Sequence, residues 1–273
     1  DENYGNKIVE DVVTKYKEGD LYETEEKQLG GYQLTSKTDN TTGTMVRDDI
    51  AVEYRYKKIS QGVDIKHIDQ VTGEELSSEH LDGLEKDSYT TSSKTIDGYE
   101  LVKTPDNKNG EMVVDLTTVT YEYRKNSNVI VKYIDENYGT NIIEDVVTKY
   151  KEGDAYTTEE KTFDGYQLTD KTDNLSGTVV RDDIVVIYEY KKISEGVDIK
   201  YLDQATGLSI ADTVHFGGLE KDEYTTTPKD IEDYQLVFTS DNANGELAVD
   251  LITVVYEYRM LSDVTTKFID ENY

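Results

Sequence analysis

The 273-residue chain has no cysteine and no tryptophan, two prolines, four phenylalanines, and only 29 Lys plus Arg against 58 Asp plus Glu. Each scarcity removes a class of protein. Without thiols there is no disulfide scaffold, no thiolate nucleophile and no cysteine-based zinc site. A net charge of −29 has the wrong sign for neutralising nucleic-acid phosphates or lying on an anionic membrane surface. No apolar run approaches the ~20 residues a membrane-spanning helix needs, so membrane insertion is not expected. What is present is 23 tyrosines with many Val and Ile, β-forming residues that a disordered acidic tail does not carry.

Internal repetition organises the chain. Residues 11–58 align without gaps to residues 145–192, with 12 of 48 positions different. Residues 62–124 align with 196–259, with one extra residue near 208–214. Each long repeat divides again, because Ile65-Lys66-His67-Ile68-Asp69…Gly73 matches Val131-Lys132-Tyr133-Ile134-Asp135…Gly139. The order is A1 (1–59), B1 (60–126), A2 (127–193) and B2 (194–260), then residues 261–273 as the start of a fifth unit. The string Asp-Glu-Asn-Tyr stands at residues 1–4, 135–138 and 270–273, so the chain reads as a segment of a longer array. A1 lacks its opening strand, whose equivalent reappears at 264–270.

Within each unit the apolar period is two. Val129, Val131 and Tyr133 share one face of a first strand, and Ile184, Val186, Tyr188 and Tyr190 share one face of the last. The Asp-x-x-x-Gly segments at 135–139 and 69–73 read as hairpin turns. A second strand is expected at 142–150, and a third opens at Gly165-Tyr166. Residues 178–190 should hold two strands split at Asp182-Asp183. The acidic start of 154–161 suits one or two helical turns. Hairpin, short helix, then further strands is the order of a ubiquitin-like β-grasp module, giving a mainly β or α+β fold in tandem copies, with a β-sandwich as the alternative. Linkers such as 191–196 are short and poor in proline, so semi-rigid joints in an elongated, monomeric rod are expected.

The pattern V-x-V-x-Y-x-D…G, G-x-x-Y, G-Y-x-L, S-G-T…V-x-Y-x-Y resembles the MucBP repeat of Gram-positive surface adhesins. It runs here through residues 129–135, Gly153 to Tyr156, Gly165 to Leu168 and Ser176 to Tyr190. The B units depart from it, with Leu-Glu-Lys-Asp-x-Tyr at 84–89 and 219–224, and B2 has Asp233 where the others have glycine. The resemblance implies a ubiquitin-like fold in a cell-wall-anchored extracellular protein that adheres to mucin or other host glycans. A structural stalk that projects another domain is the alternative function.

Most tyrosines read as core, because Tyr54, Tyr56, Tyr188 and Tyr190 fall on the alternating face and Tyr32 and Tyr166 follow a strand-opening glycine. Tyr4 and Tyr138 lie in the A hairpin turns, where the B units have Thr72 and Thr206. They are the candidate ligand-binding residues, as aromatic faces that can stack on sugars. His67 occupies the slot of Tyr133 and Tyr201 and reads as a packing residue, while His80 and His215 have no His or Cys partner in sequence. Asp48-Asp49, Asp182-Asp183, Asp106-Asn107 and Asp241-Asn242 offer hard oxygen ligands without calcium-loop spacing. No cofactor is expected, with calcium as the remaining possibility. No G-x-S-x-G, H-E-x-x-H or phosphate loop occurs, and a small unit copied four times lacks the asymmetric deep pocket of most active sites. The sequence reads as a non-enzyme.

Overall fold

The computed structural model describes residues 1–270 and divides into two compact units, Asp1–Ser127 and Asn128–Tyr273. Each unit contains one A and one B repeat. In B1, Val63–Asp69 pairs antiparallel with Glu75–Leu81 on one side and parallel with residues 117–123 of Thr117–Asp135 on the other. Residues 122–125 then pair antiparallel with Tyr99–Lys103. The order is second, first, last, third, with the first and last strands parallel at the centre. This is the β-grasp order. A2 repeats it with 129–135 parallel to 184–190 and Tyr166–Lys171 beyond. B2 repeats it with 197–203 parallel to Ile252–Met260, flanked by Val214–Leu219 and Tyr234–Thr239. A1 keeps Tyr32–Lys37 against Tyr54–Lys58, and no parallel strand among the described residues lies beside the latter.

The expected helical turns at 154–161 are not formed, and the α+β reading gives way to an all-strand repeat. Ala155–Thr157 is instead a short strand paired with Ser176–Thr178, and each of the other three repeats has the same small ladder. The physical reason lies in the side chains. Tyr22, Tyr89, Tyr156 and Tyr224 are buried, and their hydroxyls donate to the carbonyls of Asn40, Asn107, Asn174 and Asn242 at 2.9–3.1 Å. Thr24, Thr91, Thr158 and Thr226, two residues on, donate to a carbonyl of the facing segment at 2.8–3.0 Å. These bonds hold the backbone extended, whereas a lone helical turn would bear the nucleation cost with little return. The expected second strand of A2 is shorter and split, with Thr140–Asn141 and Val146–Lys151.

B1, A2 and B2 each have their own core, with one aromatic pair across the two parallel strands. Tyr133 stacks on Tyr188 at 5.4 Å, Tyr201 on Tyr256 at 6.0 Å, and His67 on Tyr121 at 5.2 Å, each pair directly opposite in register. His67 is therefore a packing residue, as its position in the repeat requires. The hairpin turns after the first strand close on Gly139 and Gly73 with φ +64° and +74°. The amides of those glycines donate to the Asp135 and Asp69 carbonyls at 2.7 and 2.8 Å.

Residues 191–196, expected as a semi-rigid joint, lie inside one continuous strand, Ile184–Asp203. A bulge between Ser194 and Val197 interrupts its register. There the Ser194 hydroxyl accepts from the Gly196 amide at 2.9 Å and donates to the Ala248 carbonyl. Ser60, Gly62 and Val113 repeat the arrangement in the first unit. Residues 261–270, expected to open a fifth repeat, form no strand. Val264 and Phe268 are 92% and 96% exposed, since a strand of this type needs a parallel partner to exist. The last three residues of the expected fifth unit, 271–273, lie outside the described residues.

Candidate functional site: hairpin tips and a recurring cleft

Tyr138 sits at the tip of the A2 hairpin, and Tyr4 in the equivalent Asp-x-x-x-Gly turn of A1, where residues 1–20 form no strand and the expected hairpin is absent. The tip is shaped locally, with Asp1 and Asp135 accepting from the amides of Asn3 and Asn137 at 3.0 Å. Both tips lean on the following B repeat of the same unit. The Tyr4 hydroxyl donates to Glu85 Oε1 at 2.8 Å and that of Tyr138 to Glu220 Oε1 at 2.7 Å. Asn3 and Asn137 donate through Nδ2 to the Glu85 and Glu220 carbonyls, both at 2.9 Å. Lys86 and Lys221 place Nζ 4.2 Å from the centres of the Tyr4 and Tyr138 rings, a cation–π contact. The hydrogen bond to glutamate, followed by burial and the glutamate charge, raises the pKa of both phenols. Half of each tyrosine, 50% and 51%, stays open to solvent.

A second feature recurs at equivalent residues of A1 and B2. In A1, Lys27, Leu29, Tyr32, Leu34 and Tyr56 line a cleft of about 270 Å³. In B2, Lys229, Ile231, Tyr234, Leu236 and Tyr258 line one of about 310 Å³. Its lip is held by the last-strand tyrosine. The Tyr56 hydroxyl donates to the Lys27 carbonyl at 2.8 Å and accepts from the Lys27 amide at 3.1 Å. Tyr258 does the same to Lys229 at 2.8 and 3.0 Å. Tyr123 and Tyr190 clamp Lys94 and Lys161 identically in the other two repeats. Burial raises the pKa of Tyr123, Tyr190 and Tyr258, so the clamp keeps its donor at physiological pH. The clefts are small for ligand sites and mixed in lining, with Leu29 and Leu34 beside Glu26 in A1 and Ile231 and Leu236 beside Asp230 and Glu232 in B2. Sequence reading missed this cleft. Its one signal was the half-buried Tyr32 and Tyr234 after the strand-opening residue.

The other candidates are placed as follows. His80 and His215 bind the carboxylates of Asp64 and Asp198 at 2.6 and 2.8 Å through Nδ1. Asn107 and Asn242 donate to the Thr118 and Thr253 carbonyls at 3.0 and 2.9 Å. Asp183 accepts from the Asn128 amide at 2.7 Å. Among the described residues no group of three or more His, Cys, Asp or Glu is arranged to hold a metal ion.

A model of the MucBP domain matches residues 1–57, 62–124, 128–191 and 196–259. Internalin J of Listeria monocytogenes serotype 4b (strain F2365) is 33% identical over 98% of this chain and 31% of its own length. Internalin I of L. monocytogenes serovar 1/2a (strain ATCC BAA-679 / EGD-e) is 25% identical over 87% of the chain and 13% of its own length. The chain thus spans less than a third of the curated relatives it matches. Among solved structures, the type 2 repeat of the mucus binding protein MUB from Lactobacillus reuteri aligns at a TM-score of 0.17 and 20% identity, covering 47% of this chain and 98% of that one. With four domain matches running almost end to end, the chain belongs to the MucBP domain family.

Proposed function

We propose that this chain is the repeat region of an extracellular, cell-wall-anchored adhesin of a Gram-positive bacterium. In this reading it binds mucin or other host glycoprotein glycans through several weak sites. The observation that carries the reading is the recurring cleft: two repeats of different type, A1 and B2, shape the same concavity from equivalent residues. Tyr32 and Tyr234 offer aromatic surface, Leu34 and Leu236 apolar side chains, and Lys27 and Lys229 ammonium donors, the mixture a sugar's CH face and hydroxyls require. The open sides of Tyr4 and Tyr138 are additional contacts. The role is adhesive, and no step of chemistry is assigned to it.

Net charge sets a condition. Mucins carry sialate and sulfate, so a chain of −29 is repelled by them at a distance. Binding rests on local hydrogen bonds and stacking, and strengthens as salt screens the repulsion. A glycan array and purified mucin, probed with the whole chain and with a Leu34→Lys, Leu236→Lys variant, test the reading. Binding by the parent that the variant loses supports it, and binding that weakens with added salt contradicts it.

One observation favours a second reading, a non-binding stalk. The two most exposed hairpin tyrosines are already engaged by a neighbouring repeat, as spacer residues would be. Silence of the whole chain on both array and mucin would leave the stalk.

A further inference from the structure

Every repeat carries a glutamate at one turn position, Glu18, Glu85, Glu152 and Glu220, but the A and B repeats satisfy it differently. In A1 and A2 an arginine of the same repeat pairs with it, Arg47 to Glu18 at 3.2 Å and Arg181 to Glu152 at 3.3 Å. In B1 and B2 the arginine position holds Val114 and Val249. Glu85 and Glu220 are 9% and 8% exposed. They receive a tyrosine hydroxyl from the preceding A repeat on Oε1, while Oε2 has no hydrogen-bond partner among the described residues.

The next residue differs in step. It is Gly19 and Gly153 in the A repeats, with φ +91° and +89°, and Lys86 and Lys221 in the B repeats, with φ +68° and +67°. A lysine held in the left-handed region is strained where glycine is not. The strain is repeated in both B repeats, and in both the ammonium lies over the tip tyrosine. Lys221 also donates to the Asn137 carbonyl at 3.2 Å. The tip changes with it, since B tips carry threonine, and Thr206 caps its own turn on Asp203 at 3.0 Å. Arg to Val, Gly to Lys and Thr to Tyr are thus three differences that meet at one contact.

We infer that A and B repeats are a matched pair, in which the Asn-Tyr tip of an A repeat recognises the Glu-Lys turn of the B repeat that follows and couples the stability of the two. The A tip is a recognition element for one kind of partner, a turn with a buried, arginine-free glutamate and a left-handed lysine. B tips carry threonine in place of that tyrosine, and A turns carry glycine in place of that lysine.

Hydrogen exchange on the whole chain tests this. The reporters are the Glu220 amide, which donates to the Lys192 carbonyl at 2.8 Å, and the Glu195 amide, which donates to the Val249 carbonyl at 2.8 Å. Lys221→Gly installs the residue A2 already tolerates at this turn, so the repeat still folds, and it also relieves the strain. Lys221→Gly and Tyr138→Phe should each speed exchange at both amides by about fivefold or more. The double variant should add little to the larger single effect, and Thr206→Ala should leave both amides unchanged. If strain relief dominates, so that Lys221→Gly slows exchange or leaves it unchanged, the inference is overturned. Additive effects in the double variant overturn it as well.

Discussion

His67 fills in B1 the slot that tyrosine fills in A2 and B2, and this predicts a repeat that weakens in mild acid. The side chain is fully buried, and neither ring nitrogen has a hydrogen-bond partner among the described residues. Burial first, and then the Lys94 ammonium, lower its pKa, against weaker opposing pulls from the Ser92 backbone, Glu79 and the Ser77 backbone. Lys94 is itself tied to Glu79 and Ser77, and Tyr121 and Tyr123 cover the ring from the last strand. Because the folded pKa lies below the unfolded one, the neutral form's contribution is complete above about pH 6.5. It is lost as pH falls below that value, where the unfolded chain takes the proton first. The loss cannot exceed about 1.4 kcal/mol per pH unit below 6.5, a ceiling of about 2 kcal/mol at pH 5.0. A repeat of this size has roughly 3–10 kcal/mol in total. Carboxylates such as Glu79 and Glu122, whose pKa values are lowered by Lys94 and Lys103, lose their contributions only below about pH 4.5 and stay silent in this window. His80 acts with the opposite sign: its pKa is raised chiefly by the hydrogen bond to Asp64, so its contribution is complete below 6.5 and fades as pH rises. The experiment therefore uses a His80→Asn background. Hydrogen exchange of amides in 63–69 and 117–123, corrected for intrinsic rates, should quicken up to ~30-fold between pH 7.5 and 5.0, which is about 2 kcal/mol. His67→Tyr, which installs the residue of Tyr133 and Tyr201, should abolish the dependence. A His67→Tyr protein with the parent's pH slope would refute the reasoning.

Three further outcomes are expected. Asp233 takes φ +59° where Gly31, Gly98 and Gly165 lie at +75° to +77°, and its backbone oxygen accepts from the Leu261 amide at 2.7 Å, a bond that glycine keeps. Asp233→Gly should therefore raise B2 stability by about 0.5–1 kcal/mol and its Tm by a few degrees in calorimetry. Gly196 has φ +88°, and a Cβ there would stand 2.3 Å from the Phe216 carbonyl oxygen. Gly196→Ala should cost about 2 kcal/mol or more in denaturant titration, and a loss under 0.5 kcal/mol would show that the bulge can shift. Chelator should leave the melting curve unchanged, because no group of three or more His, Asp or Glu among the described residues is arranged to hold a metal ion. A fall in Tm on chelation would instead point to bound calcium.

The repeat length, the hairpin turns and the core faces were legible because they depend on local chemistry that recurs in every copy: Asp-x-x-x-Gly, alternating Val and Tyr, and the aromatic slot that exposed His67 as packing. The short strand at 155–157 was not legible. Its acidic flanks imitate a helix start, while the cause of its extension is a hydrogen bond from Tyr156 to Asn174, 18 residues away. Tyr4 and Tyr138 were correctly placed in exposed turns. Their engagement depends on residues 81 and 82 positions later, and a pattern read along one repeat carries no information about contacts between repeats. The A and B differences at those positions were visible, but only the structure brings Tyr, Glu, Lys and the missing Arg to one place.

The same contacts constrain what adhesion can look like. Tyr22, Tyr56, Tyr121, Tyr123, Tyr133, Tyr188, Tyr190, Tyr201, Tyr256 and Tyr258 are buried, which leaves Tyr4, Tyr16 and Tyr138 as the exposed rings among the described residues. Sites this small and open belong to the weak range, with Kd of about 0.1–1 mM each, or roughly 4–5.5 kcal/mol. Linked sites meet a repetitive polymer at an effective concentration of order 1 mM. At a site Kd of ~1 mM, each added site gains about a factor of one, and four repeats bind little better than a single repeat. At ~0.1 mM, the second cleft gains about tenfold and brings the chain to ~10 μM. Titration of the whole chain against mucin therefore separates the two readings without an isolated repeat. Binding near 10 μM requires clefts that each reach ~0.1 mM, whereas millimolar binding leaves the repeats acting mechanically, as spacers.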